Sequence, residues 1–374
     1  MAGRYLHALK GVLDLRTPGY LIFFVTARCN CRCKMCFYGE AIDNAPQRNE
    51  LSLDEIERFA RRFPGLHQVN FSGGEPFLRE DFAEIPVQFY RHSGTRFFTC
   101  PTNSSLPEEM ERAIRAICTS CPDAWIRITQ SLDGVGPVHD TLRGREGLFD
   151  CVVELNGRLA RLTREFPNLS VGLTTVISKF NRDSVHETLD FVYDNLEFTD
   201  FGALFVRGTP RDPAARDVEA EDYVRFMAAC IERRRTHRVE RNFTSRVFSA
   251  IGHTVVGLVT DTLREDRFIS PCKAGRRMVV MDDEGNVEPC ELLADFVEKG
   301  VIDLDSSRLG NIREFDYDIR KLLGTEHARR VLRAIVEQKC YCTFECAWSV
   351  NVLYTPGLWP RVLKNYLRLG RGGS

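Results

Sequence analysis

Between about residues 20 and 210, short apolar runs rich in β-formers alternate with segments of helical period. This alternation constrains the fold more than any other feature of the chain. The candidate strands are 20–26, 68–72, 96–102, 124–132, 170–177 and 201–207. Helical patterns lie between them at 81–92, 107–118, 149–165 and 183–195, and a capping box, Ser52-Leu-Asp-Glu55, opens a further helix to residue 62. Repeated β-then-α units predict parallel strands joined by right-handed crossovers. The expected core is α/β, a partial (β/α)6 TIM-like barrel over 20–210, whose ligands gather at the carboxyl ends of the strands.

Beyond residue 210 the pattern changes. Thr209-Pro-Arg-Asp-Pro-Ala-Ala215 opens a helical linker over 211–270, with helices expected at 218–235 and 242–263. The overlapping stretch Arg207-Gly-Thr-Pro-Arg-Asp-Pro213 reads either as a site for substrate phosphate or carboxylate groups or as a structured linker. Segments 277–281 and 286–288 flank Asp282-Asp-Glu-Gly285 as a β-hairpin. With helices at 315–323 and 326–338 it makes up a small C-terminal α+β domain over 271–350. An N-terminal extension, 1–19, and a basic tail, 351–374, complete the division. The tail is expected to pack on the body as a helix, peripheral membrane contact being the other reading. A net charge of -1 gives no electrostatic case for nucleic acid. Neither a membrane span nor a signal peptide is visible, so the expected location is cytoplasmic.

The chain holds 14 cysteines. In a reducing compartment such a density points to metal ligation before disulfides. Cys29, Cys33 and Cys36 form a C-x3-C-x2-C array just after the first strand, with Cys31 inside it. Thiolates are the soft ligands that iron–sulfur clusters take. Three from one loop hold three irons of a [4Fe–4S] cubane and leave the fourth open to a substrate. The alternative is a closed zinc site with Cys31 as fourth ligand, which the close spacing of Cys31 to both neighbours opposes. Cys100, Cys118, Cys121, Cys151 and Cys230 are scattered and read as small buried hydrophobes.

Other strands end in residues suited to a ligand. Ser72-Gly-Gly-Glu-Pro76 closes the second, where glycines permit close backbone approach and Glu75 can accept from an ammonium group. Gln130-Ser-Leu-Asp-Gly134 closes the fourth, presenting the Ser131 hydroxyl. Arg143, in His139-Asp-Thr-Leu-Arg-Gly144, suits a carboxylate fork or a surface salt bridge. Val176, in Thr174-Thr-Val-Ile-Ser178, reads as core or as the wall of a ligand site.

The run Thr26-Ala-Arg-Cys-Asn-Cys-Arg-Cys-Lys-Met-Cys-Phe37, followed in register by Gly73-Gly-Glu-Pro76, resembles the radical SAM superfamily. The resemblance extends over about residues 20–350. It implies a site for S-adenosylmethionine (SAM) in which Gly73, Gly74 and Glu75 meet the amino group. Ser131 and Arg143 would hold the carboxylate and ribose side, with Met35, Phe37 and Val176 lining the rest of the site. Met35 stands where the family usually has an aromatic residue, and Thr102-Asn-Ser104 lacks the glycine of the usual Thr-Asn-Gly. The implied chemistry is one-electron cleavage of SAM to a 5′-deoxyadenosyl radical that abstracts hydrogen from an unactivated carbon. A flavodoxin- or ferredoxin-type protein would supply the electron.

Cys272 and Cys290 flank the expected hairpin, which should make them neighbours; Cys340, Cys342 and Cys346 follow on one short loop. Four of the five would close a second [4Fe–4S] cluster, with Cys272, Cys290, Cys342 and Cys346 preferred and Cys340 the alternate. A zinc ribbon is the rival. The pattern resembles the SPASM and Twitch appendages, the cysteine number matching the shorter Twitch type, and Leu309-Gly-Asn-Ile312 also occurs there. Enzymes so equipped modify ribosomally made peptides or oxidise sugars and aminocyclitols. With about nineteen residues before the first strand, no peptide-recognition domain is expected there. The favoured substrate is therefore a small molecule, a sugar, aminocyclitol or glycoconjugate that is oxidised or epimerised. The alternatives are a peptide maturase, forming a thioether or carbon–carbon crosslink or epimerising its peptide, and a non-catalytic iron–sulfur or zinc scaffold.

Overall fold

The computed structural model describes residues 17–236 and 243–370, so the expected N-terminal extension lies outside them except for its last residues. The expected strands form at β1 (Tyr20–Thr26), β2 (Gln68–Gly73), β3 (Phe97–Thr102), β4 (Trp125–Ser131), β5 (Leu169–Ile177) and β6 (Asp200–Phe205). All pair in parallel with their sequence neighbours. All seven residues of β1 are buried, as a central strand covered on both faces requires. In β3 and β4 burial alternates instead, one face meeting helices and the other the concave side.

Helices Leu53–Arg61, Pro107–Ser120, Leu148–Glu165 and Val185–Asn195 form the crossovers, close to the expected bounds. The segment expected as one helix over 81–92 is broken. A 3-10 turn, Phe82–Glu84, precedes the helix Ile85–His92, whose second residue is Pro86. Proline has no N–H to give to a preceding turn and is tolerated only in the first turn of a helix. The capping box forms as read. Ser52 accepts from the Glu55 backbone N–H, and its own N–H donates to Glu55 Oε2 at 2.9 Å. Glu55 also takes Arg313 Nε at 2.7 Å, which holds its carboxyl down to about 2 and ties this helix to the C-terminal region.

The hairpin strands are β7 (Met278–Met281) and β8 (Asn286–Glu288), with a short β9 (Gly310–Asn311) beside them. They do not make a sheet of their own. β7 runs parallel to β1, and all described strands form one open sheet in the order β6-β5-β4-β3-β2-β1-β7-β8-β9. Met278, Val279, Val280 and Met281 are all buried, and a strand with no polar face needs cover on both sides. Helices Ala220–Thr236 and Phe243–Glu265 share an apolar cluster with residues of β5 and β6. The tail forms the helix Trp359–Gly370 and packs on the body, as expected. Among the described residues no helix is long and apolar enough to cross a membrane.

Candidate active site

Every residue singled out at a strand end lies along the same edge of the sheet, with the cysteine loop at its centre. That loop is held from three sides by backbone hydrogen bonds. Gly74 N donates to Thr26 O and Glu75 N to Arg28 O, both at 2.8 Å. Arg32 N donates to Arg143 O at 2.9 Å and Lys34 N to Leu142 O at 3.0 Å, pinning the loop to the end of the helix Pro137–Arg143. Arg211 N and Asp212 N then close on Cys36 O and Lys34 O at 2.9 and 2.8 Å. The close approach that the glycines permit is to the loop itself: a Cβ at Gly73 would strike Thr26 O, and one at Gly74 would strike Arg28 O.

Cys29, Cys33 and Cys36 are half-buried on this loop, while Cys31 is turned into the protein, where Asn103 Nδ2 donates to its sulfur at 3.3 Å. Hydrogen bonding from Cys31, whose N–H donates to the Cys29 sulfur at 3.5 Å, lowers the Cys29 thiol against the opposing effect of burial, with Arg143 and Arg32 adding to the pull. Burial pushes Cys33 up to about 12 against the pull of Arg143, whose Nη1 stands 3.9 Å from its sulfur.

Glu75 is buried behind the loop. Its Oε1 accepts from Thr102 Oγ1 at 2.9 Å and its Oε2 from Asn103 N at 2.7 Å. Burial outweighs these donors and raises its carboxyl to about 8. Asn103 Nδ2 reaches on to Asn30 Oδ1 at 2.9 Å, so the third strand's end joins Glu75 to the cysteine loop. Ser104 adopts φ 66°, the left-handed region that glycine prefers.

Arg143 is not a surface ion pair. It is half-buried against the fully buried Asp133, Nε and Nη2 both reaching Asp133 Oδ2 at 2.6 Å. Asp133 is fully buried and also accepts from Val176 N at 2.7 Å and Thr175 Oγ1 at 3.2 Å, while its own N–H donates to His139 Nδ1 at 3.1 Å. Burial works against the Arg143 charge, and Asp133 with the nearby cysteines more than offsets it. Sequence reasoning missed Asp133, although it stands two residues beyond Ser131, which is half-buried at the end of β4. Met35 and Val176 meet in one small apolar cluster with Leu142, Val206 and Ala215.

At the other side of the loop, Phe37 and Phe344 sandwich the Arg207 guanidinium, 5.1 and 4.7 Å from the ring centroids. Arg207 is paired with Glu291 at 2.7 Å and Glu345 at 3.6 Å, and Arg211 with Asp43 at 2.7 Å. Arg207 is thus spent inside the protein and Arg211 in a surface ion pair, so the stretch 207–213 reads as a structured linker. Cys272, Cys290 and Cys340 are buried and Cys342 half-buried. Burial raises the thiols of Cys290, Cys340 and Cys342, with smaller contributions from one another and from Cys272, and Cys272, Cys290 and Cys340 share one apolar core against which Cys342 and Cys346 pack. The strongest influences on Cys346 after burial come instead from Glu291, Arg207, Glu345 and Tyr20. No three His, Cys, Asp or Glu among the described residues converge as ligands of one metal ion; in a cubane each cysteine binds a different iron. A cavity of about 240 Å³ opens between the end of β6 and this loop, with Arg207, Gly208, Arg216, Asp295, Tyr341 and Cys342 in its wall. Of the cavity's wall, Gly208 adjoins Phe37, the residue after Cys36.

Comparison with known proteins agrees with this arrangement. Residues 23–192 match the model of the radical SAM superfamily. Fe-coproporphyrin III synthase of Methanosarcina barkeri is 27% identical over 237 residues, 62% of this chain and 55% of that protein. Molybdenum cofactor biosynthesis protein 1 of Homo sapiens is 33% identical over 109 residues, 27% of this chain and 17% of that one. The chain therefore spans at most about half the length of these relatives. Among solved structures, anSMEcpe with bound AdoMet superposes with a TM-score of 0.60 at 17% identity, covering 95% of this chain and 98% of that one. SuiB of Streptococcus suis gives a TM-score of 0.56 at 17% identity, covering 87% and 70%. These likenesses establish the fold, a partly closed TIM-like barrel.

Proposed function

Since this chain belongs to the radical SAM superfamily and is an enzyme of that class, we propose that Cys29, Cys33 and Cys36 hold its [4Fe–4S] cluster and that SAM binds across the ends of β2 to β5. Enzymes of this class use the cluster to deliver one electron to SAM, which splits into methionine and a 5′-deoxyadenosyl radical. The residues of this chain bind and orient. The observation that carries the reading is the convergence of the Glu75–Thr102–Asn103 and Asp133–Arg143 networks on one cysteine loop. The donor set fits: thiols on one loop for the irons, the buried Glu75 carboxyl for an ammonium and the Ser131 hydroxyl for a carboxylate, with Arg143 held beside the loop by Asp133. Met35 and Val176 offer an apolar wall to the adenine, and Phe37 closes the site towards Arg207.

Four of Cys272, Cys290, Cys340, Cys342 and Cys346, which meet at one apolar core, would hold a second [4Fe–4S] cluster. Cys340 is buried in that core with Cys272 and Cys290, which places it ahead of Cys346 as a ligand. Reconstituted protein should carry about eight irons. Cys340→Ala should bring the count to about four, and Cys346→Ala should leave it near eight. The reverse result would reassign the ligands, and zinc in place of the second set of irons would sink the second cluster.

The cavity of about 240 Å³ suits a small polar molecule more than an extended chain, and favours a sugar, aminocyclitol or glycoconjugate as the hydrogen donor. The second reading is peptide maturation, favoured because SuiB, similar in fold, has been solved with its precursor peptide SuiA. Anaerobic incubation with SAM and dithionite tests the class, since a loaded enzyme that yields no 5′-deoxyadenosine refutes it. Deuterium passing into deoxyadenosine from labelled sugars, but not from labelled peptides, separates the substrates.

A further inference from the structure

The terminal helix Trp359–Gly370 is fixed by one face and bare on the other. On the inner face Asn365 Nδ2 donates to Thr254 Oγ1 at 3.0 Å, and the Arg246 guanidinium lies 4.4 Å from the Tyr366 ring centroid. Val362 joins the apolar cluster beneath. The outer face carries Trp359, Leu363 and Leu367, which are 55%, 58% and 52% exposed. Spaced four residues apart, they form one stripe about 80° wide on a helix of 3.6-residue period. Large apolar side chains aligned in this way mark an interaction surface more than a solvated face. Lys364 and Arg368 continue the same exposed arc, and neither has an acidic partner among the described residues. Arg361, farther round, is tied to Asp261 at 2.7 Å. The helix contains no Asp or Glu.

We propose that this face docks on a bilayer bearing anionic lipid headgroups. An apolar stripe headed by tryptophan and bordered by uncompensated cations is the chemistry of an interfacial helix. A second copy of this chain seated on the stripe about a twofold axis would bring Lys364 and Arg368 against their own like charges. An anionic surface answers both halves of the face, burying the leucines and neutralising the cations. Because the folded body already holds the helix, docking requires no further ordering of it.

Flotation of the full, reconstituted chain with vesicles tests this. The wild-type protein should float with phosphatidylcholine vesicles containing phosphatidylglycerol, not with phosphatidylcholine alone, and less so as salt is raised. Leu363→Asn combined with Leu367→Asn should weaken partitioning about tenfold or more. Lys364→Gln and Arg368→Gln should each weaken it about fivefold. All four substitutions should leave circular dichroism and 5′-deoxyadenosine formation in solution unchanged. Failure of the wild-type protein to float, equal flotation on neutral vesicles, or flotation indifferent to the substitutions would overturn the proposal. So would leucine variants that turn a wild-type dimer into a monomer in sedimentation without altering flotation, since the face would then belong to a second copy.

Discussion

Glu75→Gln is expected to raise the KM for SAM about a hundredfold while the protein stays folded, because an ammonium loses its buried counter-charge. Glutamine keeps one oxygen to accept from Thr102 or Asn103 and removes a carboxyl that burial already disfavours in its ionised form. Steady-state formation of 5′-deoxyadenosine against SAM concentration measures the effect, and an unchanged KM would remove Glu75 from the SAM site. The same residue carries a pH dependence in the SAM-free protein. Its folded pKa of about 8 lies above that of an unfolded glutamate, so between those values the native state keeps a proton that the unfolded chain has lost. The stability that this proton confers is full below the unfolded pKa. It falls as pH rises through the window and is gone above about 8. Denaturant unfolding at pH 5 to 9 should show the wild-type protein losing stability relative to Glu75→Gln across that range. Parallel curves would refute the assignment.

Asp133→Ala is expected to cost about 3–5 kcal/mol of folding stability and to abolish measurable SAM cleavage. The substitution strands the Arg143 guanidinium in a buried setting and leaves the Val176 N–H without its acceptor. Two causes are thereby joined, an unpaired charge and a loosened site, and a second variant separates them. Asp133→Ala with Arg143→Met replaces the ion pair by apolar groups and should recover most of the lost stability, as replacement of buried ion pairs commonly does. It should recover none of the SAM cleavage. Thermal unfolding and deoxyadenosine yield read the two effects. A double variant no more stable than Asp133→Ala would show that Arg143 is not the source of the cost.

The radical SAM assignment rests on local signals, and local signals are legible in sequence. The C-x3-C-x2-C loop and Gly73-Gly-Glu-Pro76 are runs in which spacing alone brings side chains together. The strands from Tyr20–Thr26 to Asp200–Phe205 announced themselves by period, with bounds that moved by a residue or two. Asp133 shows where this ends. Nothing in Ser131-Leu-Asp-Gly134 says that the carboxylate turns inward to meet an arginine ten residues on. Arg207 shows the same in reverse. In sequence it looks like an anion site, yet Glu291 and Glu345, far along the chain, consume its charge.

The cysteine spacing of the loop from Cys29 to Cys36 and the alternating core that carries it are legible in the chain alone, because both depend on neighbours within a few residues. Assembly of the fold is what sets β7 beside β1 in one sheet, gathers Cys272, Cys290 and Cys340 in one core and turns Asp133 inward to Arg143. The first two close long loops, and the burial that rewards all three exists only once the whole sheet is assembled.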